Sequence, residues 1–238
     1  MYNPIKSEIF HVHTFRCGHA SDDADEAYVL KAIEYKQKRI VFTDHAPFPG
    51  DPFGSRMKMS EYPKYIESIH SLKEKYKDEI EVFCGLEIEF FPQYMDYYKE
   101  LRASGDLDVL MLGQHMYMHD DGSYNFLDKD RSDEFKGISK AMVEGINTGL
   151  FDVVAHPDRM YMRYSKFDDD VLAAIHNVVN ATCAKGVYLE KNFGSMIKEK
   201  NYSEAFWKHI GLAKTLTGYD AHSVADIDLI VKEIGLAD

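Results

Sequence analysis

Cysteine is scarce in this chain of 238 residues: Cys17, Cys84 and Cys183 lie far apart and form no CxxC pair. An odd set of scattered thiols argues against a disulfide framework or a thiolate zinc site, so the three are expected to be reduced. No apolar run approaches the roughly 18 residues of a membrane span, and the first residues lack the apolar core of a secretion signal. Both absences point to a soluble, cytoplasmic protein that touches no membrane. Positive charge is short as well, with 28 Lys and Arg against 40 Asp and Glu and a formal charge of −12. That deficit opposes sequence-independent binding to nucleic acid. The chain also has no Pro/Gly/Ser-rich linker, low-complexity tract or internal repeat, so residues 1–238 are expected to form one domain.

What is present is an alternation of short apolar runs with longer amphipathic segments. Strands are expected at Glu8–His13, Arg39–Thr43, Glu81–Ile88, Val109–Gly113, Val153–His156, Val187–Lys191 and Thr215–Asp220. Helical patterns fall between them, at Asp22–Lys38, Ser60–Tyr76, Gln93–Ala103, Asp133–Asn147, Asp168–Ala184, Ser203–Gly211 and Ser223–Ile234. Such alternation implies an α/β fold with a parallel sheet and right-handed crossovers. Seven strands suggest closure into a barrel, with a doubly wound sheet as the alternative. The longest irregular stretch, Ala46 to Arg56, holds three of the seven prolines and is a candidate lid or substrate wall.

Parallel βα barrels carry their sites at the C-terminal ends of the strands, and ligand-type residues gather there. His11 and His13 end the first strand, two apart, so alternation aims both imidazoles one way. His19 follows in the next loop, where Gly18 allows a sharp turn. His45, His115, His156 and His222 follow later strands, with Glu87, Glu89 and Asp220 beside them. Of 11 histidines, seven sit at such ends, whereas His70, His176 and His209 lie in helical patterns and His119 in a polar loop. Seven imidazoles with Glu87 and Asp220 are too many for one tetrahedral ion and enough for two or three divalent ions with positions open to water. Water acidified between ions, rather than a protein nucleophile, is then the expected attacking group.

The elements His11-Val12-His13-Thr14 with His19, Thr43-Asp44-His45, Gly85-Leu86-Glu87-Ile88-Glu89, Gly113-Gln114-His115, His156-Pro157-Asp158 and Asp220-Ala221-His222 resemble, in order, the PHP (polymerase and histidinol phosphatase) family. Within it the pattern is similar to the monofunctional histidinol-phosphate phosphatases. The resemblance implies a distorted (β/α)7 barrel with its metal site at the C-terminal rim. It also implies three ion sets: His11, His13, Glu87 and Asp220; Glu87, His115 and His156; and His19, His45 and His222. Members use Zn, Mn or Fe. Tyr219 and Gln114 depart from the usual phosphatase pattern without touching those ligands.

The expected activity is metal-dependent hydrolysis of a small phosphate monoester, with L-histidinol phosphate of histidine biosynthesis as the substrate the resemblance implies. Arginine forks well onto phosphate, and Arg159, Arg16 and Arg163 lie in βα loops beside ligands, Arg159 being the first choice. Glu89, Asp158 and the Pro47–Phe53 loop are candidates for the substrate's ammonium and imidazole, and His119 for a further contact. Asp44, Asp158 and His119 are candidate proton donors. The competing readings are a phosphodiesterase or exonuclease of the same family, which would want a basic groove, a tyrosine phosphatase, and a non-catalytic metal-binding scaffold, which would be expected to lack ligands.

Overall fold

The computed structural model describes residues 2–164, 166–198 and 202–234. Seven strands form one sheet in chain order: β1 (Glu8–Val12), β2 (Arg39–His45), β3 (Glu81–Ile88), β4 (Val109–Leu112), β5 (Val153–Val154), β6 (Tyr188–Asn192) and β7 (Thr215–Gly218). Each neighbouring pair is parallel. The chain after β7 returns to β1 at the upper end, where Tyr219 N–H donates to Phe10 O at 2.8 Å and His13 N–H donates to Ala221 O at 2.9 Å. The sheet is a nearly closed, distorted (β/α)7 barrel.

The helices are α1 (Asp25–Glu34), α2 (Tyr62–Lys75), α3 (Met95–Ala103), α4 (Glu134–Thr148), α5 (Asp169–Lys185), α6 (Phe193–Ile197), α7 (Glu204–Trp207) and α8 (Val224–Glu233). Their apolar faces, through Tyr28, Tyr65, Phe135, Ile175 and Ile227, share one core with Ile9, Phe42, Leu86 and Leu112 of the strands. Burial on both faces explains why the strands read as continuous apolar runs. The short helix α6 lies outside the sequence expectation, since five residues containing Gly194 show no period; Asn192 caps it by accepting from Ser195 N–H.

A second core, Phe10, Val41, Val109, Met111, Val153, Ala155 and Leu216, plugs the barrel interior. Below it Arg39 pairs with Glu8 and Glu81, and the Tyr2 hydroxyl donates to Glu8 at 2.6 Å. Above it the interior turns ionisable.

Simple alternation does not bring His11 inside. With Phe10 in the plug, a regular strand would send His11 and His13 outward. Instead the ladder pairs Phe10 with Val41 and Val12 with Phe42, leaving His11 as a bulge at φ +71°. The extra residue re-phases the strand, so Phe10, His11 and His13 all lie on the barrel side. His156 at φ +27° and Asp220 at φ +52° also leave strand geometry, which is why β5 and β7 stop before them. Such backbone persists only where surrounding contacts enforce it.

The Ala46–Arg56 stretch is a wall rather than a lid. Phe48 and Phe53 are buried, their rings packed edge to face at 5.1 Å. Backbone bonds from Ala46 N–H to Glu87 O and from Met57 N–H to His45 O fasten both ends. Among the described residues no helix is long and apolar enough to cross a membrane.

Candidate metal centre

The inward positions of the seven strands rise from the apolar plug to a ring of imidazoles around one carboxylate. Glu87 Oε2 lies 3.1 Å from His45 Nδ1, 3.3 Å from His11 Nε2 and 3.5 Å from His13 Nε2. Glu87 Oε1 lies 2.9 Å from His156 Nε2 and 3.7 Å from His115 Nε2. Asp220 Oδ1 closes on His13 Nε2 at 3.2 Å, and His19 meets His222 Nε2 to Nε2 at 3.0 Å. Glu87 can lean across the barrel because residue 113 is glycine; a Cβ there would overlap its carboxylate.

Ligand atoms of His11, His13 and Asp220, of Glu87, His115 and His156, of His19, His45 and His222, and of His13, His45 and Glu87 each lie within 4.8 Å of one another. The chemistry of these donors fits cations. Buried polar atoms almost always find a hydrogen-bond partner, yet His13 Nδ1, Glu87 Oε1 and His156 Nε2 are buried without one. Outer partners also fix tautomers. Glu190 Oε1 sits 2.5 Å from His11 Nδ1 and Glu89 Oε1 sits 3.0 Å from His115 Nδ1. Carbonyls of Cys17 and Asp220 face Nδ1 of His19 and His222 at 3.2 and 3.0 Å. Each acceptor keeps the proton on Nδ1 and leaves the Nε2 lone pair for the interior.

Protonation follows from burial and charge. Burial holds His156 down at about 4 and His222 at about 3, and drives His45 well below the imidazole range. These rings are neutral, as coordination requires. Burial works against protonation of His11 and His13 too, but the carboxylates of Glu190, Asp220 and Glu87 raise His11, and Asp220 with Asp44 brings His13 to about 9. Burial would raise Glu87 and Asp220, but the imidazoles facing Glu87 and, beside Asp220, His11 and Arg159 hold both well below the carboxylate range. Cys17 approaches His13 and His222, but burial pushes its thiol up to about 11, so it stays protonated.

The cleft above the ring has a volume of about 310 Å³ and is lined by His19, His45, Ser55, Arg56, Glu87, His115, His156, Arg159, Asp220 and His222. A larger groove of about 880 Å³ between α4 and α5 holds no such cluster, so chemistry rather than volume marks the site.

Of the expected substrate residues, the structure brings Arg159 and Glu89 to the site. Arg159 Nη2 donates to Asp220 at 2.6 Å and to Ser195 at 2.7 Å. Glu89 is fully buried and accepts from His115 and from a fork of Arg56 at 2.6 and 3.0 Å. The others turn elsewhere. Arg16 pairs with Asp25 at 2.9 Å and Arg163 with Glu134 at 2.7 Å, each drawn to the nearest carboxylate of an acidic chain. His119 binds Asp128 at 2.9 Å, outside the cleft lining. Asp158 is buried, its carboxyl pushed up to about 6, and accepts from Ser203 N–H at 2.7 Å away from the ring. Asp44 accepts from the Thr14 hydroxyl beneath His13 and stays outside the cleft lining.

Sequence reasoning missed Glu190, Asn192 and Arg56. Glu190 is 0% exposed, holds His11 and accepts from His156 N–H at 2.8 Å, and Gly218 leaves the space its carboxylate fills. Asn192 donates to Asp220 at 3.1 Å. The available signal was a Glu-x-Asn pair with strand spacing on the sixth strand, aimed at the same interior as the ligands.

A parallel βα barrel whose upper interior is a ring of imidazoles around buried carboxylates has the plan of a metal-dependent hydrolase. The chain belongs to the PHP family: the model described as "PHP domain" matches residues 10–193. A protein of Deinococcus radiodurans named "Probable histidinol-phosphatase" is 29% identical over 194 residues, covering 76% of this chain and 71% of that one. The histidinol-phosphatase of Bacillus subtilis (strain 168) is 32% identical over 131 residues, 50% of this chain and 47% of that protein. In fold, the chain matches the crystal structure of histidinol phosphate phosphatase from Lactococcus lactis complexed with zinc, L-histidinol and phosphate, with a TM-score of 0.70 and 20% identity over 97% of this chain and 94% of that one.

Proposed function

We propose that this protein is a metal-dependent phosphatase that hydrolyses L-histidinol phosphate to L-histidinol and phosphate. The observation that carries the reading is the convergence of seven imidazoles, Glu87 and Asp220 on one another, with Glu87 Oε1 and His156 Nε2 buried face to face at 2.9 Å without a hydrogen bond. The names of its relatives support the choice of ester.

Two or three divalent ions, of zinc, manganese or iron, would be held by His11, His13 and Asp220, by Glu87, His115 and His156, and by His19, His45 and His222. Such ions supply Lewis acidity toward phosphate oxygens and acidify water near neutral pH. The chain's own side chains do the rest. Glu87 balances charge at the centre, while Glu190 and Glu89 hold His11 and His115 in the tautomer that faces inward. Arg159 is anchored to Asp220 and Ser195 through one terminal nitrogen and keeps the other for phosphate oxygens. Ser55 and Arg56, at the end of the wall, line one side of the cleft.

Phosphate release should be measured from L-histidinol phosphate beside a panel of other monoesters. Histidinol phosphate is expected to give the highest kcat/KM. A different ester ranking first would overturn the substrate, and release from none would overturn the reaction.

A further inference from the structure

The wall delivers a second arginine to the cleft. Arg56 follows β2 and Arg159 follows β5, and these strands are three apart in a seven-stranded ring, so the two side chains reach the cleft from opposite sides of the rim. Both are built alike. Arg56 is only 8% exposed, packed against the rings of Phe48 and Phe53 at 5.8 and 5.6 Å, and forked onto Glu89. Arg159 is anchored on Asp220 and Ser195. In each the Nε atom is buried with no partner.

A guanidinium carries five N–H donors, and the fork on Glu89 uses two of them. An arginine needed only to neutralise Glu89 would have no reason to line the cleft as well. Each terminal nitrogen keeps a second N–H beyond the fork, and such planar donors beside a metal-ligand ring match the oxygens of a phosphate.

We infer that Arg56 is a phosphate-binding residue, and that Arg56 and Arg159 grip the phosphate of the substrate from opposite sides of the cleft. The pair selects a terminal phosphate, whose three free oxygens can serve both arginines and the ligand ring; a diester offers two. The inference deepens the phosphatase reading and rests on it for the identity of the anion.

The test uses inorganic phosphate as the probe. Its dissociation constant is measured by calorimetry on the metal-loaded protein and on R56K and R56Q, with metal content determined in the same samples. R56Q is expected to bind phosphate about 10–100-fold more weakly at unchanged metal content, the range for loss of charged hydrogen bonds. R56K, a point charge without the fork, is expected to fall between R56Q and the parent. KM for the ester should rise in step. Phosphate affinity within about twofold of the parent in both variants, or a loss that only tracks lost metal, would reduce Arg56 to a support for Glu89 and overturn the inference. Because no ester is turned over in the calorimetry, a wrong choice of substrate leaves this result standing, and the reverse also holds.

Discussion

The two halves of the barrel interior come from the same seven strands and do opposite things. In the lower half, Phe10, Val41, Val109, Met111 and Val153 close an apolar plug. In the upper half, His11, His13, Glu87, Glu190 and Asn192 are as deeply buried, yet polar. Burying apolar area stabilises a fold, and burying unpaired ionisable groups works against it. The plug therefore holds the barrel together so that the ring above it can be held in an arrangement suited to ions rather than to the folded chain alone.

The largest effect falls on the ring. Glu87→Ala should cut phosphate release by more than the roughly 10–100-fold that loss of an outer partner costs, and it should lower metal content. A variant that kept both would dissolve the distinction between the halves. Met111→Ala should do the reverse, lowering stability by about 2–5 kcal/mol through an unfilled core site, with metal content per folded chain unchanged. Denaturant titration beside elemental analysis separates the two. Glu190→Gln should sharpen the boundary: it removes the anionic acceptor on His11 but keeps the volume, so metal affinity should fall about 10–100-fold with the fold intact. An affinity equal to the parent would make Glu190 mere packing.

The smallest effect is in pH. His13, raised to about 9, and His11, also raised, carry protons in the metal-free ring that binding must displace. Metal affinity should therefore rise with pH up to about 9, a dependence that competition with a chromophoric chelator would read. Without metal the sign reverses, because a raised folded pKa adds stability that is fully present below the ordinary imidazole range and is lost as pH rises through about 9. His156 and His222, already neutral above about 4 and 3, contribute nothing over that range.

The strands and their order were legible because each apolar run is local and ends in turn residues. The ring was legible because parallel strands bring their ends to one rim, so a histidine after each run needs no knowledge of its partners. What escaped depended on distant partners. Glu190 looks like any charged residue in a strand until His11, 179 positions away, is placed beside it. Arg16 and Arg163 carry the right chemistry, but Asp25 and Glu134 claim them. The bulge at His11 escaped for another reason: alternation predicts the shared direction of two histidines but not which side of the sheet they share.

The central claim is that the upper ring exists to hold cations, and counting them tests it most directly. Protein stripped of metal, reloaded with zinc, manganese or iron and freed of excess should carry two or three ions per chain by elemental analysis. A reloaded, folded protein that retains none would contradict the account.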